Sequence, residues 1–410
     1  MSQRATWPHP ADFAAPPTGA DLARWADADA AARPDRLGRL RERMATAGVD
    51  GYFGVRREHM RYLTGFSIAE NEVASAGDSG KFLVTLDDVW ILADSRYTLQ
   101  AERQAPDSDL FECYHALVER WPALVERTGV RRVALEAAFV PHATWERLAA
   151  APAVELVPAE GWLEADRQVK EPEEIERVAA ACAVADRALA SLLPSIRPGV
   201  TEVELALDLE WRIRTGGAEA LAFDVACLAG SEAALPHGKP GDHAVRPGSV
   251  LLFDFGAQVA GYRSDMTRTL FVGEPEARDL AVYEVVAAAQ ATAISALGEA
   301  VAASRHGAPL PSGRAVDAIA RAAIEADGRW PSFGHGLGHG IGLATHELPS
   351  LGARAAETPL PSPTVFSVEP GIYVAGEIGV RIEDLVVLDA AAGRLERITR
   401  FPNEVVVVGV

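Results

Sequence analysis

The sequence predicts a two-domain protein, a smaller α/β layer domain followed by a larger α+β domain, and three observations carry that prediction. At 410 residues, with 49% hydrophobic and 24% charged, the chain can fill two cores and has ordinary globular composition. Between Pro34 and Asp166, helical patterns such as "RPDRLGRLRERMATAG" alternate with short apolar runs, "DGYFGV", "KFLVTL", "VWILAD", "RRVALE" and "VELVPA", which is the alternation of a layered α/β domain. Beyond Lys170, long Ala-rich helices are interspersed with strand-like "SVLLFDFGAQ", "YRSDMTRTLFV", "TVFSVEPGIYV", "VRIEDLVVL" and "NEVVVV", as in an antiparallel sheet covered by helices.

In chain order, residues 1–33 carry Pro8, Pro10, Pro16 and Pro17 among alanines and polar residues, and are expected as an extended arm available to a partner subunit. Residues 34–166 are the α/β domain. The stretch "VKEPEEIERVAAACAVADRALASLL" places Pro172 and acids in a first helical turn ahead of apolar residues at helical spacing, so the second domain is expected over 170–410. The N-terminus has no apolar signal-peptide core, and no run of about 18 apolar residues occurs, so neither secretion nor membrane spanning is expected. Cys113, Cys182 and Cys227 are odd in number and far apart, which suits a reducing cytoplasm better than a disulfide framework. With 39 basic and 58 acidic residues, the formal charge of −19 would repel a phosphate backbone, so nucleic acid is not an expected partner.

Chemistry enters at two hairpins. In "VLLFDFGAQVAGYRSDMTRTLFV", Asp254 and Asp265 each interrupt a strand that otherwise reads as buried. A reversal between Val259 and Ala260 would set them opposite each other, where two carboxylates repel unless a cation or a shared proton intervenes. On this hairpin alone, a solvated face shared with Arg263 and Arg268 is an equal alternative. In "SVEPGIYVAGEIGVRIED", a reversal at Gly376 sets Glu369 opposite Glu383, with Arg381 two residues from Glu383 on the same face. A solvated Arg–Glu pair is again the plain alternative.

The stretch "GHGLGHGIGLATHE", Gly334–Glu347, holds three of the ten histidines, His335, His339 and His346. It lacks glycines at i, i+2 and i+5 together and no Walker lysine follows, so it is not a dinucleotide or phosphate loop. Its glycines also argue against a helix presenting two histidines. They read instead as positions where backbone approaches something closely, and three histidines beside two carboxylate pairs point to chemistry. If one histidine joins Asp254, Asp265, Glu369 and Glu383, four carboxylates need about two divalent cations for neutrality. Oxygen-dominated ligation with one imidazole suits Mn²⁺, Co²⁺ or Zn²⁺, and a metal pair that acidifies water implies hydrolysis.

Taken together, "DFG" with "YRSDMTRT", "HGLGHGIGL", "VEPGIY" and "GVRIED", in this order, resemble the creatinase-related metallopeptidases of the pita-bread fold, in particular the Xaa-Pro group of prolidases and aminopeptidases P. The resemblance covers most of the chain. It implies a creatinase-type N-terminal domain ahead of a pita-bread catalytic domain, α+β in class. It also implies that Asp254 chelates one metal, that Asp265 and Glu383 bridge both, and that His339 and Glu369 complete the second site. Glu369 would double as proton shuttle, His237 in "ALPHGKPGD" would lie near the scissile bond, and His346 would hydrogen-bond the carbonyl oxygen. His335 would line the pocket, and Arg381 would hold substrate or orient the bridging glutamate.

The implied function is dinuclear-metal-dependent cleavage of Xaa-Pro dipeptides, manganese being the first expectation for the metal, by a cytoplasmic homodimer. The alternatives are an aminopeptidase P acting on longer proline-containing peptides and, more remotely, a dead pita-bread module that only binds peptides. The compact chain, without a large insertion, favours the dipeptidase.

Overall fold

The computed structural model describes residues 7–69, 76–151 and 154–409. The chain divides into two compact units, Ala23–Asp166 and Arg167–Val410, the second including the N-terminal segment through Leu22.

In the unit Ala23–Asp166, β1 (Gly51–Gly54), β2 (Phe82–Thr85), β3 (Val89–Ala93), β4 (Asp109–Glu112), β5 (Arg132–Glu136) and β6 (Glu155–Ala159) form one sheet in the order β4-β3-β2-β1-β5-β6. The pairs β1–β5, β5–β6 and β3–β4 are parallel, and β1–β2 and β2–β3 antiparallel. Each apolar run named above contributes a strand. The edge strand β4 is additional. Its sequence "DLFE" buries only Phe111 fully, and charged residues at a sheet edge hide the apolar signal while discouraging further pairing. One core joins Phe53, Leu83, Trp90, Leu92 and Leu135 to Trp121 and Leu124 of the helix Leu117–Thr128.

The expected arm over residues 1–33 is corrected, because a helix runs Gly19–Ala47 with Pro34 inside it. The prolines that suggested extension all precede Gly19. From there "ADLARWADADAAAR" is rich in good helix formers, and Trp25, Arg36, Leu40 and Met44 give it a buried stripe. The shorter segment that remains lies on its own chain. Trp7 Nε1 donates to Val407 O at 2.6 Å, Arg187 donates to Pro10 O at 2.7 Å, and Phe13 stacks on Phe401.

In the unit Arg167–Val410 the strands are β7 (Ala220–Leu221), β8 (Ala226–Ala229), β9 (Val250–Phe255), β10 (Ala257–Val259), β11 (Tyr262–Arg263), β12 (Met266–Val272) and β13 (Gly338–Gly340). There follow β14 (Glu347–Leu351), β15 (Thr364–Val368), β16 (Gly371–Val374), β17 (Ile378–Arg381), β18 (Asp384–Asp389), β19 (Arg394–Arg397) and β20 (Val407–Val408). They build a four-stranded sheet β20-β12-β9-β8, a five-stranded sheet β14-β13-β15-β18-β19, a three-stranded sheet β11-β10-β7 and the pair β16-β17. Each long strand of the two carboxylate hairpins is thus broken in two. The breaks fall at Gly256, at Ser264–Asp265, at Glu369–Pro370 and at Ile382–Glu383.

The Gly376 hairpin has the expected register. Gly371 pairs with Arg381 in β16–β17 and Val368 with Asp384 in β15–β18, so Glu369 and Glu383 occupy matching positions in the gap between the two pairings. The other hairpin is offset by two residues: Val259 pairs with Tyr262, and Asp254 with Thr267 rather than with Asp265. The reason is local. A two-residue turn that suits twisted strands needs positive φ at both central residues, and here Ala260 (φ 46°) and Gly261 (φ 85°) supply it.

The helix Ala277–Ser304 lays Val282, Val286, Ala289, Ala293 and Leu297 into a core shared with Phe366, Val368, Val386 and Leu388. This helix and the segment Pro172–Ser195 are long and apolar enough to cross a membrane by length and composition, although both bury part of their surface inside the unit. Core helices of large domains pass the same test.

Candidate metal centre

The four strand breaks bring together the carboxylates singled out in the sequence. A Cβ on Gly256 would lie 1.9 Å from Ser264 O, so the glycine after Asp254 and Phe255 is required where the two chains cross. His339 is the middle residue of β13, which is squeezed between β14 and β15. A Cβ on Gly338 would lie 1.9 Å from Ser367 O, and one on Gly340 would lie 2.1 Å from Leu348 O. The glycines around His339 therefore serve strand packing, as close approach of backbone required. Gly340→Ala is expected to destabilise the unit by about 1–3 kcal/mol, read as a lowered melting temperature of the purified protein.

Asp265, His339 and Glu383 each offer a ligand atom within 4.8 Å of the others. His339 Nε2 lies 3.6 Å from Asp265 Oδ2 and 3.4 Å from Glu369 Oε1. Its Nδ1 faces Gly340 O at 3.1 Å, which requires the proton on Nδ1 and leaves the Nε2 lone pair toward the carboxylates. Ser367 Oγ donates to Glu369 Oε1 at 3.1 Å and accepts from His339 N at 3.1 Å, tying these two ligand candidates together. Thr267 Oγ1 donates to Glu383 Oε2 at 2.8 Å and accepts from Arg381 Nε at 2.8 Å.

The electrostatics are those of an anionic cluster. Burial, then repulsion from Glu383, Asp254 and Glu369, pushes the Asp265 carboxyl well above its ordinary range. Burial followed by Glu369 and Asp254 does the same to Glu383. Burial raises Glu369 against the opposing pull of Arg381 and His335. Burial lowers His339, keeping the imidazole neutral as a metal ligand must be. Two buried carboxylate oxygens, Asp254 Oδ1 and Glu383 Oε1, lack a hydrogen-bond partner among the described residues. Buried carboxyl oxygens left this way call for a partner, which a divalent cation would supply, and hard oxygen donors with one imidazole fit such a metal.

Arg381 is buried, and four groups accept from it: Asp254 Oδ2 at 2.5 Å, Thr267 Oγ1 at 2.8 Å, Tyr373 Oη at 3.0 Å and Pro236 O at 3.4 Å. Burial alone would lower its pKa, but Asp254, Tyr373, Glu369 and Glu383 hold it well above the ordinary value. His335 is engaged at both ring nitrogens, Nδ1 with Gly336 O at 2.7 Å and Nε2 with Tyr373 Oη at 2.9 Å. His346 is exposed on the bend before β14, its ring centroid 4.3 Å from that of His339. Partial loss of solvation, and then the neighbouring His339 imidazole, push it down to about 4. His237 is exposed on a turn. Glu202 holds the two ends of that segment, accepting from Ala229 N at 2.6 Å and Gly241 N at 2.9 Å.

Three participants were not singled out from the sequence. Thr267 is the strand partner of Asp254 and Ser367 lies two residues before Glu369, so the period of two along a strand is the signal that would have found them. Tyr373, which touches both His335 and Arg381, sits in the "EPGIY" stretch already quoted.

Comparison with known proteins places this arrangement. Residues 176–390 match the metallopeptidase family M24, and residues 36–169 match the creatinase/prolidase N-terminal domain. The uncharacterized peptidase YqhT of Bacillus subtilis is 33% identical over 374 residues, which is 91% of this chain and all of that one. Among solved structures, the Xaa-Pro dipeptidase from Bacillus anthracis superposes with a TM-score of 0.81 at 32% identity, covering 92% of this chain and all of that one. The X-Pro aminopeptidase from Thermotoga maritima MSB8 superposes at 0.79 and 32% identity, covering 91% and 99%. The chain therefore belongs to the M24 metallopeptidases, enzymes that use divalent metal, and consists of a creatinase-type N-terminal domain followed by a pita-bread catalytic domain.

Proposed function

We propose that the protein hydrolyses the imide bond of Xaa-Pro dipeptides, with two divalent ions held by Asp254, Asp265, His339, Glu369 and Glu383, manganese being the first choice. The observation that carries the reading is the buried cluster at the strand breaks, with Asp254 Oδ1 and Glu383 Oε1 left unpartnered among the described residues. In this assignment Asp254 would serve one ion, Asp265 and Glu383 would serve both, and His339 and Glu369 would serve the other. When bound, the pair supplies Lewis acidity, acidifying water and drawing charge from the scissile carbonyl. Retention of every ligand position disfavours a module that only binds peptides.

The side chains divide the remaining work. Glu369, oriented by Ser367, accepts the proton of the attacking water and delivers it to the proline nitrogen. His346, held neutral, donates an N–H to the carbonyl oxygen as negative charge grows there. His237 lies beside the scissile bond, and His335 lines the pocket through its bond to Tyr373. The resemblance offers Arg381 two roles, and its four internal hydrogen bonds favour orienting Asp254 and, through Thr267, Glu383. The substrate carboxylate is then captured by another cation. Three free, buried cysteines fit a cytoplasmic setting, and a homodimer remains part of the proposal.

The aminopeptidase P reading is kept because a dipeptidase and an aminopeptidase structure are equally identical to this chain. Purified protein, stripped of metal and reloaded with Mn²⁺, Co²⁺ or Zn²⁺, is expected to cleave Ala-Pro faster than Ala-Pro-Ala at matched concentration. Cleavage of the tripeptide alone would establish the aminopeptidase, and inactivity on both with all three metals would overturn the proposal.

A further inference from the structure

The bend Gly342–His346 is supported from beneath by a buried ion triad that the reaction scheme above does not use. Glu347, first residue of β14 and chain neighbour of His346, pairs through Oε2 with Arg167 and through Oε1 with Lys170. The three side chains are 5%, 2% and 1% exposed respectively. Lys170 Nζ also donates to Arg167 O at 2.5 Å, and Lys170 N to Pro363 O at 2.9 Å, so the cationic side is fixed by backbone as well. Burial would raise the Glu347 carboxyl, but Arg167 and Lys170 hold it below its ordinary value, so it is a carboxylate.

The bend closes directly on this triad. A Cβ on Gly342 would lie 2.5 Å from Glu347 Oε1 and 3.0 Å from Lys170 Nζ. Glu347 Oε2 accepts from Ala344 N at 3.3 Å, and Gly342 O accepts from Arg263 N at 2.9 Å. Thr345 Oγ1 donates to Ala222 O at 3.3 Å and accepts from Arg263 at 3.0 Å. The residues on either side of His346 are thus buried and bonded, while His346 itself is exposed with its ring against that of His339. Two cations and one carboxylate out of water are an expensive way to fill space, since apolar side chains of similar volume commonly do so at lower free energy. What the charges add is direction: a carboxylate fixed at both oxygens sets the backbone at the point where the bend must deliver an imidazole.

We propose that Glu347, clamped by Lys170 and Arg167, is the positioning residue for His346, aiming its imidazole at the substrate carbonyl; this rests on the peptidase reading of the site. The clamp acts through His346 alone and leaves the metal ligands in place.

The test is a double-mutant cycle in the full-length, manganese-loaded enzyme on Ala-Pro, with crystal structures of parent and variants. His346→Ala is expected to lower kcat by roughly 10²- to 10³-fold. Glu347→Gln is expected to lower kcat by about 10- to 100-fold, with KM and bound metal within about twofold of the parent. Added to His346→Ala, it should cost less than about twofold more, because the residue it positions is already gone. Lys170→Met, which leaves Glu347 matched by Arg167, should show a smaller loss masked in the same way, and it carries the cycle if Glu347→Gln fails to fold. Losses that multiply in the double variant overturn the proposal. The crystal structures judge it without activity: the His346 ring should leave its 4.3 Å station against His339 in the variant, and an unmoved ring overturns the inference. A parent that is inactive while the variant's ring is displaced would refute the peptidase reading and leave the clamp standing.

Discussion

Glu383→Ala, and equally Asp265→Ala, is expected to lower kcat/KM by on the order of 10³-fold or more, equivalent to at least about 4 kcal/mol of lost transition-state stabilisation. Bound metal should fall below that of the parent, measured by elemental analysis of dialysed protein. Neither variant is expected to unfold. Both carboxyls are held well above their ordinary values by burial first and by their carboxylate neighbours next. A carboxyl raised in the folded state contributes stability that is fully present below its unfolded value, about 4, and is lost as pH rises through the raised folded value. The metal-free parent should therefore lose stability on going from pH 4 toward neutrality. Removing Glu383 deletes one titrating, repelling group and flattens that loss. Without metal, Glu383→Ala should accordingly melt at or above the parent at neutral pH, with the gap closing toward pH 4. A variant that keeps its full metal content and parental turnover would remove Glu383 from the ligand set.

Glu369→Gln is the second large effect, with a loss of roughly 10³-fold in kcat and retention of at least one metal ion. The amide keeps the shape, one ligand oxygen and the acceptor for Ser367, and it removes only the base. The parent's pH–rate profile should be bell-shaped. His346, pushed down to about 4 by partial loss of solvation and by the neighbouring His339 imidazole, is a neutral N–H donor above that range, so the alkaline limb does not report its deprotonation. Residual Glu369→Gln activity should lack the acidic limb due to the Glu369 carboxylate. A Glu369→Gln enzyme running at the parental rate would show that the proton travels by another route and that Glu369 is a ligand only.

The sequence by itself determined a good deal. Hydrophobic periodicity gave the alternation of strands and helices in the first unit, because a strand's alternation and a helix's stripe are properties of a few neighbouring residues. Turn chemistry gave the Gly376 hairpin its register, and so the opposition of Glu369 and Glu383. The acids in apolar strands and the glycines around His339 named the residues that meet at the cluster, since a buried charge has to be accounted for wherever it is found. Local signals failed where two competed. Early prolines outweighed the helix formers of residues 19–33, and a turn placed one residue too soon put Asp265 opposite Asp254, a position that Thr267 occupies.

Only the tertiary structure decided the rest. It broke the long strands at or beside the carboxylates, because the chain there leaves one sheet and joins another, and such a crossing depends on partners far away in sequence. Gly256 meets Ser264 within one hairpin, but Arg381 reaches Asp254 across 127 residues, and Arg167 and Lys170 reach Glu347 across 180 and 177. No periodicity encodes such pairs. The field of a buried charge falls off over ångströms of space, whereas sequence patterns report only the few residues on either side, so which cation clamps which carboxylate is fixed when the sheets and helices pack.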